Sequence, residues 1–331
     1  MQLIRPTPEE GAAGLRAMTT VARSRGEIAA PTRRLIEAAQ KVLLGSAEFI
    51  DDLASITPEE LAVAIERPEI REQLVSGMVV ASLSAGEPPP EQALAVRGFA
   101  DALHVKGPQI SAIEKIANHD VLFFKLCVLR NGHMPDMIKN EYREHGALGV
   151  VKALAGLRGL REDPEVAARY RAWEKLPSDS LGAHLFRHYR DNGFAFPGEK
   201  GGFPEAGLYH DFSHVLAGYD TTPQGETLVG GFIAGYRESR PDHGLFTALF
   251  VLSIFSTGVD VTPIGVGAET GTVGEVAERF LLAIQRGSAV RRDLSDDWNY
   301  WDYVELPLQE ARTRLGVPPK SAEFGPGDSS I

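Results

Sequence analysis

Apolar residues recur at spacings of three and four along most of the chain, the period of an α-helix with one buried face. Val96, Phe99 and Leu103 follow this spacing after a run of prolines in which a helix can begin. Residues 272–287 repeat the pattern between an N-capping threonine and a closing glycine. Alternating β-branched runs are scarce, and the best of them contains Pro263, which disfavours a strand. The pattern therefore predicts an all-α fold.

The helical pattern breaks most clearly in residues 157–168, where glycine, mixed charge and an Asp-Pro step follow a run of short helices. We therefore predict two helical domains, residues 1–160 and residues 165–318, the second being a multi-helix metal-binding bundle. Apolar residues become sparse from Val317 onward. Residues 319–331 are accordingly predicted to form a disordered tail.

Composition places the chain among globular proteins and narrows its partners. It has 331 residues, of which 43% are hydrophobic and 24% charged, with a formal net charge of −11. An acidic chain without a long basic run repels phosphates, so we expect no nucleic-acid partner. The single cysteine, Cys127, lies among apolar neighbours and is interpreted as an inert core thiol.

Hydropathy gives an expectation for the location of the protein. The longest uncharged stretch, residues 244–259, is shorter than the roughly 20 residues needed to span a bilayer. The N-terminal residues lack the apolar core of a secretory signal. We therefore expect a cytoplasmic protein. The 244–259 helix is expected to be buried, and contact with a membrane surface is the alternative.

Two histidines, an aspartate and a glutamate lie close together in a chain with nine histidines. His210 and His214 are four residues apart. On a helix they share one face with Cβ atoms about 5–6 Å apart, close enough for two imidazoles to hold one ion. Gly218 is predicted to end this helix, and a Thr-Pro pair to begin the next. Residues 206–217 and 223–239 would then form a helical hairpin.

The hairpin brings Glu226 level with the two imidazoles. His214 lies four residues before the turn and Glu226 four residues after it, so the two face each other in an antiparallel pair. Asp211 lies about 100° round the helix from His210 and reaches an ion only from the edge of that face. We therefore predict one divalent metal ion bound by His210, Asp211, His214 and Glu226, with Asp211 acting as a ligand or as a general base.

Two other histidine positions are interpreted differently. His184 and His188 are also four residues apart, but their charged neighbours are arginines and no acidic residue completes a set. They are predicted to be a solvated or locally hydrogen-bonded pair. His119 beside Asp120 has no second histidine nearby and is interpreted as structural.

The predicted helix that carries Glu226 is rich in glycine. Gly225, Gly230, Gly231 and Gly235 lie within eleven residues. Each glycine inside a helix costs up to about 1 kcal/mol relative to alanine, so four of them require a reason. Close helix packing is one explanation. A flat or long apolar ligand lying against bare backbone beside the metal is the other.

The motif His-Asp-x-x-His at residues 210–214, followed after eleven residues by Glu226, resembles the HDxxH-x11-E motif of the coenzyme Q biosynthesis protein 4 family. Residues 176–194 resemble the segment of that family upstream of the motif. Residues 296–317 resemble its tryptophan-rich C-terminal segment, which ends in an Arg-Leu-Gly helix. The resemblance covers about residues 168–317.

The resemblance implies an all-helical fold and a divalent ion, usually described as zinc, held by the residues that match His210, Asp211, His214 and Glu226. It implies a role in ubiquinone assembly, acting on a prenylated aromatic acid whose ring C1 carboxyl is replaced oxidatively by hydroxyl. It also implies partners among other biosynthetic enzymes, with peripheral contact at a membrane.

Residues 74–105 resemble the TerB-like helical domains of tellurite-resistance proteins. Those domains have an acidic turn. The matching residues in this chain, 84–87, are Ser-Ala-Gly-Glu and contain a single carboxylate. That is too few for a hard cation that takes six or more oxygen ligands. We predict that the N-terminal domain binds no metal, takes no part in chemistry, and docks on the C-terminal half or recruits a partner.

Three functions are compatible with these features. The favoured one is a metal-dependent oxidative decarboxylase of a prenylated aromatic acid. We expect the divalent metal to be zinc. This chemistry needs an oxidant, and because zinc cannot change its redox state, Fe, Mn and Co are the alternatives. The second is a non-catalytic scaffold that holds a prenyl lipid for partner enzymes. The third is a zincin-like metallohydrolase. It is ranked last because the side chain of Asp211 is one methylene shorter than the glutamate of zincins and reaches a metal-bound water poorly. A homodimer is one of the oligomeric states left open.

Overall fold

The computed structural model describes residues 2–45, 49–157, 162–238, 243–259, 272–296 and 298–320. Within these ranges the regular structure is helical, and the β-type pairing consists of one isolated bridge between Ser180 and Pro307. The all-α prediction is confirmed. The segment around Pro263 and residues 321–331 of the predicted tail lie outside the described residues.

The N-terminal half is helical, and its longest helix is kinked at Gly146. Its helices are α1 (Pro8–Ala22), α2 (Ala30–Ala39), α3 (Pro58–Ala64), α4 (Pro68–Leu83), α5 (Pro90–Ala102), α6 (Pro108–Ala117), α7 (Val121–Asn131) and α8 (Met134–Leu157). Helices α1 to α6 each have a proline in their first turn, where its missing N–H removes no helical hydrogen bond. A π-helical turn, Gln40–Leu44, extends α2.

The C-terminal half contains the helices that carry the predicted metal ligands. They are α9 (Pro164–Arg171), α10 (Leu181–Asn192), α11 (Leu208–Ala217), α12 (Pro223–Tyr236), α13 (His243–Phe255), α14 (Thr272–Glu275), α15 (Ala277–Ser288) and α16 (Leu308–Leu315). The helix predicted over residues 272–287 is present but is interrupted at Val276, which separates α14 from α15.

One continuous hydrophobic core contains buried residues from both halves, from Ala13 to Val317. Helix α15 packs against α2 and α12, while α13 packs against α4, α7 and α12. Helices α13 and α15 therefore join the two halves. The division into residues 1–160 and 165–318 stays a prediction, and separating the halves would expose the faces of α13 and α15 that the N-terminal helices cover.

Helix α13 is buried, as expected for an uncharged helix in a core. Phe246, Leu249 and Leu252 have no exposed surface. Among the helices of the described ranges, none is both long and apolar enough to cross a membrane.

The chain remains packed beyond α16. Val317 is buried, and the carbonyl of Pro318 accepts a hydrogen bond from Arg286 Nε at 2.8 Å. The Lys320 ammonium donates to the carbonyl of Gly218. The sparse apolar content after Val317 therefore did not prevent packing as far as Lys320, because main-chain and ionic contacts hold this segment.

Candidate metal centre

The predicted helical hairpin is formed by α11 and α12, and local sequence signals set its ends. Gly218 ends α11 in the left-handed conformation, with φ of 74°. Thr222 caps α12, because its Oγ1 accepts the N–H of Gly225 at 3.1 Å, and Pro223 occupies the first helical turn. The hairpin prediction is confirmed: the ends at the turn, Ala217 and Pro223, are as predicted, while α11 begins two residues later and α12 ends three residues earlier.

Three side chains converge across this hairpin. The Nε2 atom of His210 lies 3.2 Å from Glu226 Oε2, and the Nε2 atom of His214 lies 3.2 Å from Glu226 Oε1. One ligand atom from each of the three residues lies within 4.8 Å of the others. The side chain of His214 is 1% exposed and that of His210 is 38% exposed, so the cluster is open to solvent on the His210 side.

The backbone fixes the orientation of the buried imidazole. His214 Nδ1 lies 3.1 Å from the carbonyl oxygen of Tyr219. Because a carbonyl only accepts hydrogen bonds, Nδ1 carries the proton, which leaves Nε2 as the ring nitrogen available to an ion. Metal-binding histidines commonly have such a partner on the second nitrogen.

Asp211 lies behind His210 rather than between the two imidazoles. Its Oδ1 atom lies 3.2 Å from His210 Nδ1, and its other oxygen accepts a hydrogen bond from the Tyr189 hydroxyl. Within the part of the chain that the structure describes, the cluster of converging ligand atoms consists of His210, His214 and Glu226 and does not include Asp211. In this geometry Asp211 orients the His210 ring, as Tyr219 orients His214. Coordination or base catalysis by Asp211 stays a prediction.

The electrostatics of the cluster favour a bound cation. Burial raises the pKa of Glu226, but His214 and then His210 overcome this and hold the pKa well below its usual range. Burial lowers the pKa of His210, yet its hydrogen bonds to Asp211 and Glu226 raise that pKa well above the ordinary value. Two carboxylates thus hold a proton on an imidazole, and a divalent cation can replace that proton.

His188 belongs to the surroundings of the cluster, which the sequence interpretation missed. It is 5% exposed, and its ring stacks on His214 with centroids 5.1 Å apart. Burial, with His214 adding to it, lowers the pKa of His188 to about 4. Of the two predicted states, a solvated or a locally hydrogen-bonded pair, the solvated one is wrong for His188, and its Nε2 atom has no hydrogen-bond partner among the described residues. Its spacing from Leu181 and Leu185, which places it on the buried face of α10, was the signal that could have found it.

The C-terminal end of α11 is held by cationic side chains from distant segments. The carbonyls of its last turn have no helical partner of their own. Arg312 donates to Val215 and Leu216, both at 3.0 Å, Arg286 donates to Ala217 at 2.7 Å, and Lys320 donates to Gly218. Positive charge at this end also favours the helix dipole.

Aromatic packing holds α11 from another side. The Phe212 ring lies 5.0 Å from the centroid of Trp298 and 5.0 Å from that of Tyr300. The segment of residues 296–317 therefore both packs against α11 and caps it, which fixes the helix that carries the two histidines.

The glycines of α12 are explained by close helix packing. A Cβ atom on Gly230 would lie 2.1 Å from Val251 of α13, and one on Gly235 would lie 2.2 Å from the carbonyl oxygen of Ile284 in α15. Gly231 approaches Phe280 of α15 in the same way. The alternative of a flat ligand lying on these glycines is wrong, because α13 and α15 occupy that space.

The His119-Asp120 pair has the structural role predicted for it. Asp120 caps α7 by accepting the N–H of Phe123 at 3.5 Å. His119 Nδ1 lies 2.9 Å from the carboxylate of Glu87, the acidic residue of the Ser-Ala-Gly-Glu turn.

Comparison with known proteins does not assign a family. No family model matches the chain, and no curated protein matches it. Among solved structures, the chain is similar to the crystal structure of a proposed ubiquinone biosynthesis protein from Nostoc punctiforme PCC 73102. The identity is 17% and the TM-score 0.32, over 76% of this chain and 99% of that one. Functional inference therefore depends on the site itself.

Proposed function

We propose that the protein is a metal-dependent enzyme of ubiquinone-type biosynthesis that replaces the ring carboxyl of a prenylated aromatic acid by hydroxyl. The observation that supports the metal site is the convergence of His210, His214 and Glu226, with both Nε2 atoms 3.2 Å from the carboxylate. The substrate class rests on the resemblance of the His-Asp-x-x-His and Glu226 spacing to the coenzyme Q biosynthesis protein 4 motif.

The donor set limits the choice of metal. Two imidazoles and one carboxylate bind zinc in hydrolases and iron(II) in non-haem oxygenases. With dioxygen as oxidant, exchange of carboxyl for hydroxyl releases CO2 and water and consumes two protons and two electrons from a reductant. Because zinc is not redox-active, iron, manganese and cobalt fit this chemistry better than the zinc that the motif suggests. An ion held here would stabilise negative charge on the substrate oxygens.

The residues around the cluster have separate tasks in this proposal. His210, Glu226 and His214 hold the ion, with His210 on the solvent-accessible side. Asp211, held by Tyr189, orients His210. Buried His188 shields His214 from water. The hydrolase alternative is less well supported, because both carboxylate oxygens of Asp211 already have partners, one being His210 and the other Tyr189.

A non-catalytic scaffold is the second candidate, and the surface of α7 favours it. Leu122, Phe123 and Leu126 are 65%, 56% and 51% exposed, and Lys125 lies among them in the sequence. Exposed apolar side chains beside a cation are suited to a membrane surface or a partner protein. Such a protein would bind the prenylated acid and partner enzymes without turnover.

Metal analysis of the purified protein tests the site. We expect one equivalent of metal in the wild-type protein and none in His214→Ala, with His184→Ala as the matched control on the neighbouring helix. Full occupancy in both His210→Ala and His214→Ala would rule out the assignment.

A turnover assay distinguishes the proposed enzyme from the proposed scaffold. The protein would be loaded in turn with Fe, Mn, Co and Zn and incubated with a prenylated hydroxybenzoate, dioxygen and ascorbate. Mass spectrometry should show loss of the carboxyl carbon as CO2 and gain of one ring hydroxyl. Binding of the acid without either product under all four metals would favour the scaffold.

A further inference from the structure

A cavity of about 540 Å³ lies between the N-terminal helices and α15, within the size range of small-molecule sites. Helices α1, α4 and α13 and the π-helical turn after α2 also contribute to its wall. The wall is largely apolar, with Leu15, Met18, Leu35, Ile70, Leu74 and Phe280 among its residues. None of the three clustered metal ligands lines it. We refer to it as the N-terminal cavity.

Two glutamines in the wall of the N-terminal cavity are buried with incomplete hydrogen bonding. Gln40 is 2% exposed and Gln109 is 5% exposed. Gln40 Nε2, a donor, and Gln109 Oε1, an acceptor, have no hydrogen-bond partner among the residues that the structure describes. A buried polar atom without a partner destabilises the folded state, so native proteins rarely keep one without a reason.

Gln40 also begins an element of unusual type. The π-helical turn Gln40–Leu44 places Gln40, Leu43 and Leu44 on the wall of the N-terminal cavity. π-Helical turns are rare and are frequently found at functional sites. An apolar cavity, a donor and an acceptor without partners, and a π-helical turn thus coincide in one place.

We propose that the N-terminal cavity binds an uncharged amphiphile with a single aliphatic chain and hydroxyl or amide groups. Its polar atoms accept a hydrogen bond from Gln40 and donate one to Gln109, while the chain contacts the apolar wall. A carboxylate cannot donate to Gln109, and a quaternary ammonium cannot accept from Gln40. Among the described residues, the wall contains four charged ones. Glu10 and Glu69 both pair with Arg67, with Arg67 Nε 2.9 Å from Glu10 Oε1 and Arg67 Nη1 4.0 Å from Glu69 Oε1. Glu72 and Lys106 are exposed.

Displacement of a fluorescent apolar probe, N-phenyl-1-naphthylamine, from the full-length protein tests the chemical class. We expect dodecanamide and 1-dodecanol to displace the probe, and dodecanoate at pH 8 and dodecyltrimethylammonium to do so at least about tenfold more weakly. Gln40→Leu and Gln109→Leu should each weaken dodecanamide binding by about tenfold, the worth of one hydrogen bond, and leave binding of the probe unchanged. Equal affinity for the amide and the carboxylate would overturn the proposal.

A glycine in the wall allows the N-terminal cavity to be filled without touching either glutamine. A Cβ atom on Gly77 of α4 would have only Met18 Cε near it, at 3.9 Å. Gly77→Leu should therefore fold, keep its metal and lose the probe. The matched control is Gly98→Leu on α5, outside the cavity wall, where the nearest atom to a Cβ is Pro58 Cγ at 4.0 Å. If Gly77→Leu bound the probe as tightly as the wild-type protein, the N-terminal cavity would not be the binding site. This result would be independent of the metal content.

Discussion

The C-terminal end of α11 and the wall of the N-terminal cavity differ in the hydrogen bonding of their buried polar groups. At the end of α11, Arg312, Arg286 and Lys320 supply donors to the carbonyls of the last turn. In the wall of the N-terminal cavity, Gln40 and Gln109 each keep a polar atom without a partner in the described part of the chain. Hydrogen bonds from within the protein fix the geometry of a helix, whereas a polar atom without such a bond can bind a ligand.

The two regions also differ in how closely their helices approach. The glycines of α12 allow α13 and α15 to come so near that a single methyl group would clash. Gly77, by contrast, faces a cavity with room for a side chain. The candidate metal centre thus lies on a closely packed hairpin, while the helices around the N-terminal cavity leave space between them.

The largest effect is expected from removing the cap of α11. Arg312→Ala should lower the free energy of unfolding by about 3 kcal/mol, because two main-chain carbonyls lose a charged donor. Arg314→Ala on the same helix is the control. Its side chain is 55% exposed and pairs with Glu310, so the change should be within about 0.5 kcal/mol. Urea denaturation of both variants measures the difference, and equal effects would mean that the cap contributes nothing specific.

Adding one methyl group to each region tests the difference in packing between them. Gly235→Ala should destabilise the protein by about 2 kcal/mol, since its Cβ atom would lie 2.2 Å from the Ile284 carbonyl oxygen. Gly77→Ala should stabilise it by about 0.5–1 kcal/mol, because the helix loses a glycine without a clash. Thermal unfolding of the pair checks the signs. Stabilisation by both changes would contradict the close packing of α12.

The role of Asp211 is tested by comparing it with Glu226. If Asp211 orients His210, Asp211→Asn should weaken metal binding by about 10–100-fold while one equivalent still binds at saturation. Glu226→Gln should remove a ligand and lower affinity further. Titration of each variant with a competing chelator gives the affinities. Equal losses in the two variants would identify Asp211 as a ligand.

The smallest effect concerns Glu10, a wall residue of the N-terminal cavity that pairs with Arg67. Its hydrogen bond from Arg67 holds the pKa of Glu10 below the ordinary value of 4.5, although burial opposes this. Since the folded-state pKa is the lower one, the stabilisation is fully present above about pH 4.5 and is lost as the pH falls through the folded-state pKa.

We therefore expect Glu10→Gln to remove about 1 kcal/mol at pH 7 and to flatten the acid side of the stability curve. The exposed neighbour Glu9 provides the control, as Glu9→Gln should leave the curve unchanged. An unchanged acid limb in Glu10→Gln would show that the ion pair does not contribute.

The hairpin was predictable because its signals are local. The Thr-Pro start of α12, the glycine at the end of α11 and the four-residue spacing of His210 and His214 each act within one or two turns. The register of Glu226 then followed from counting residues on either side of the turn. In the N-terminal half, α5 was similarly accessible from its leading prolines and apolar spacing.

The features that the sequence did not reveal depend on contacts between distant segments. His188 shares the buried face of α10 with Leu181 and Leu185, but its stacking on His214 depends on the packing of α10 against α11, which the sequence does not show. The glycines of α12 were ambiguous because only the positions of α13 and α15 show what fills the space beside them. The N-terminal cavity and its two glutamines had no sequence signal, since a cavity is what several helices leave unfilled.

The cap of α11 has a consequence for the order in which the protein matures. Arg312 and Lys320 lie 96 and 102 residues after the carbonyls of Leu216 and Gly218 to which they donate. Because translation delivers the N-terminal part first, a nascent chain can present His210, His214 and Glu226 before the end of their helix is secured. We expect ion capture to be completed only after residues 312–320 have been synthesised and have packed on α11, so substitutions that remove these contacts should lower the metal content of the protein.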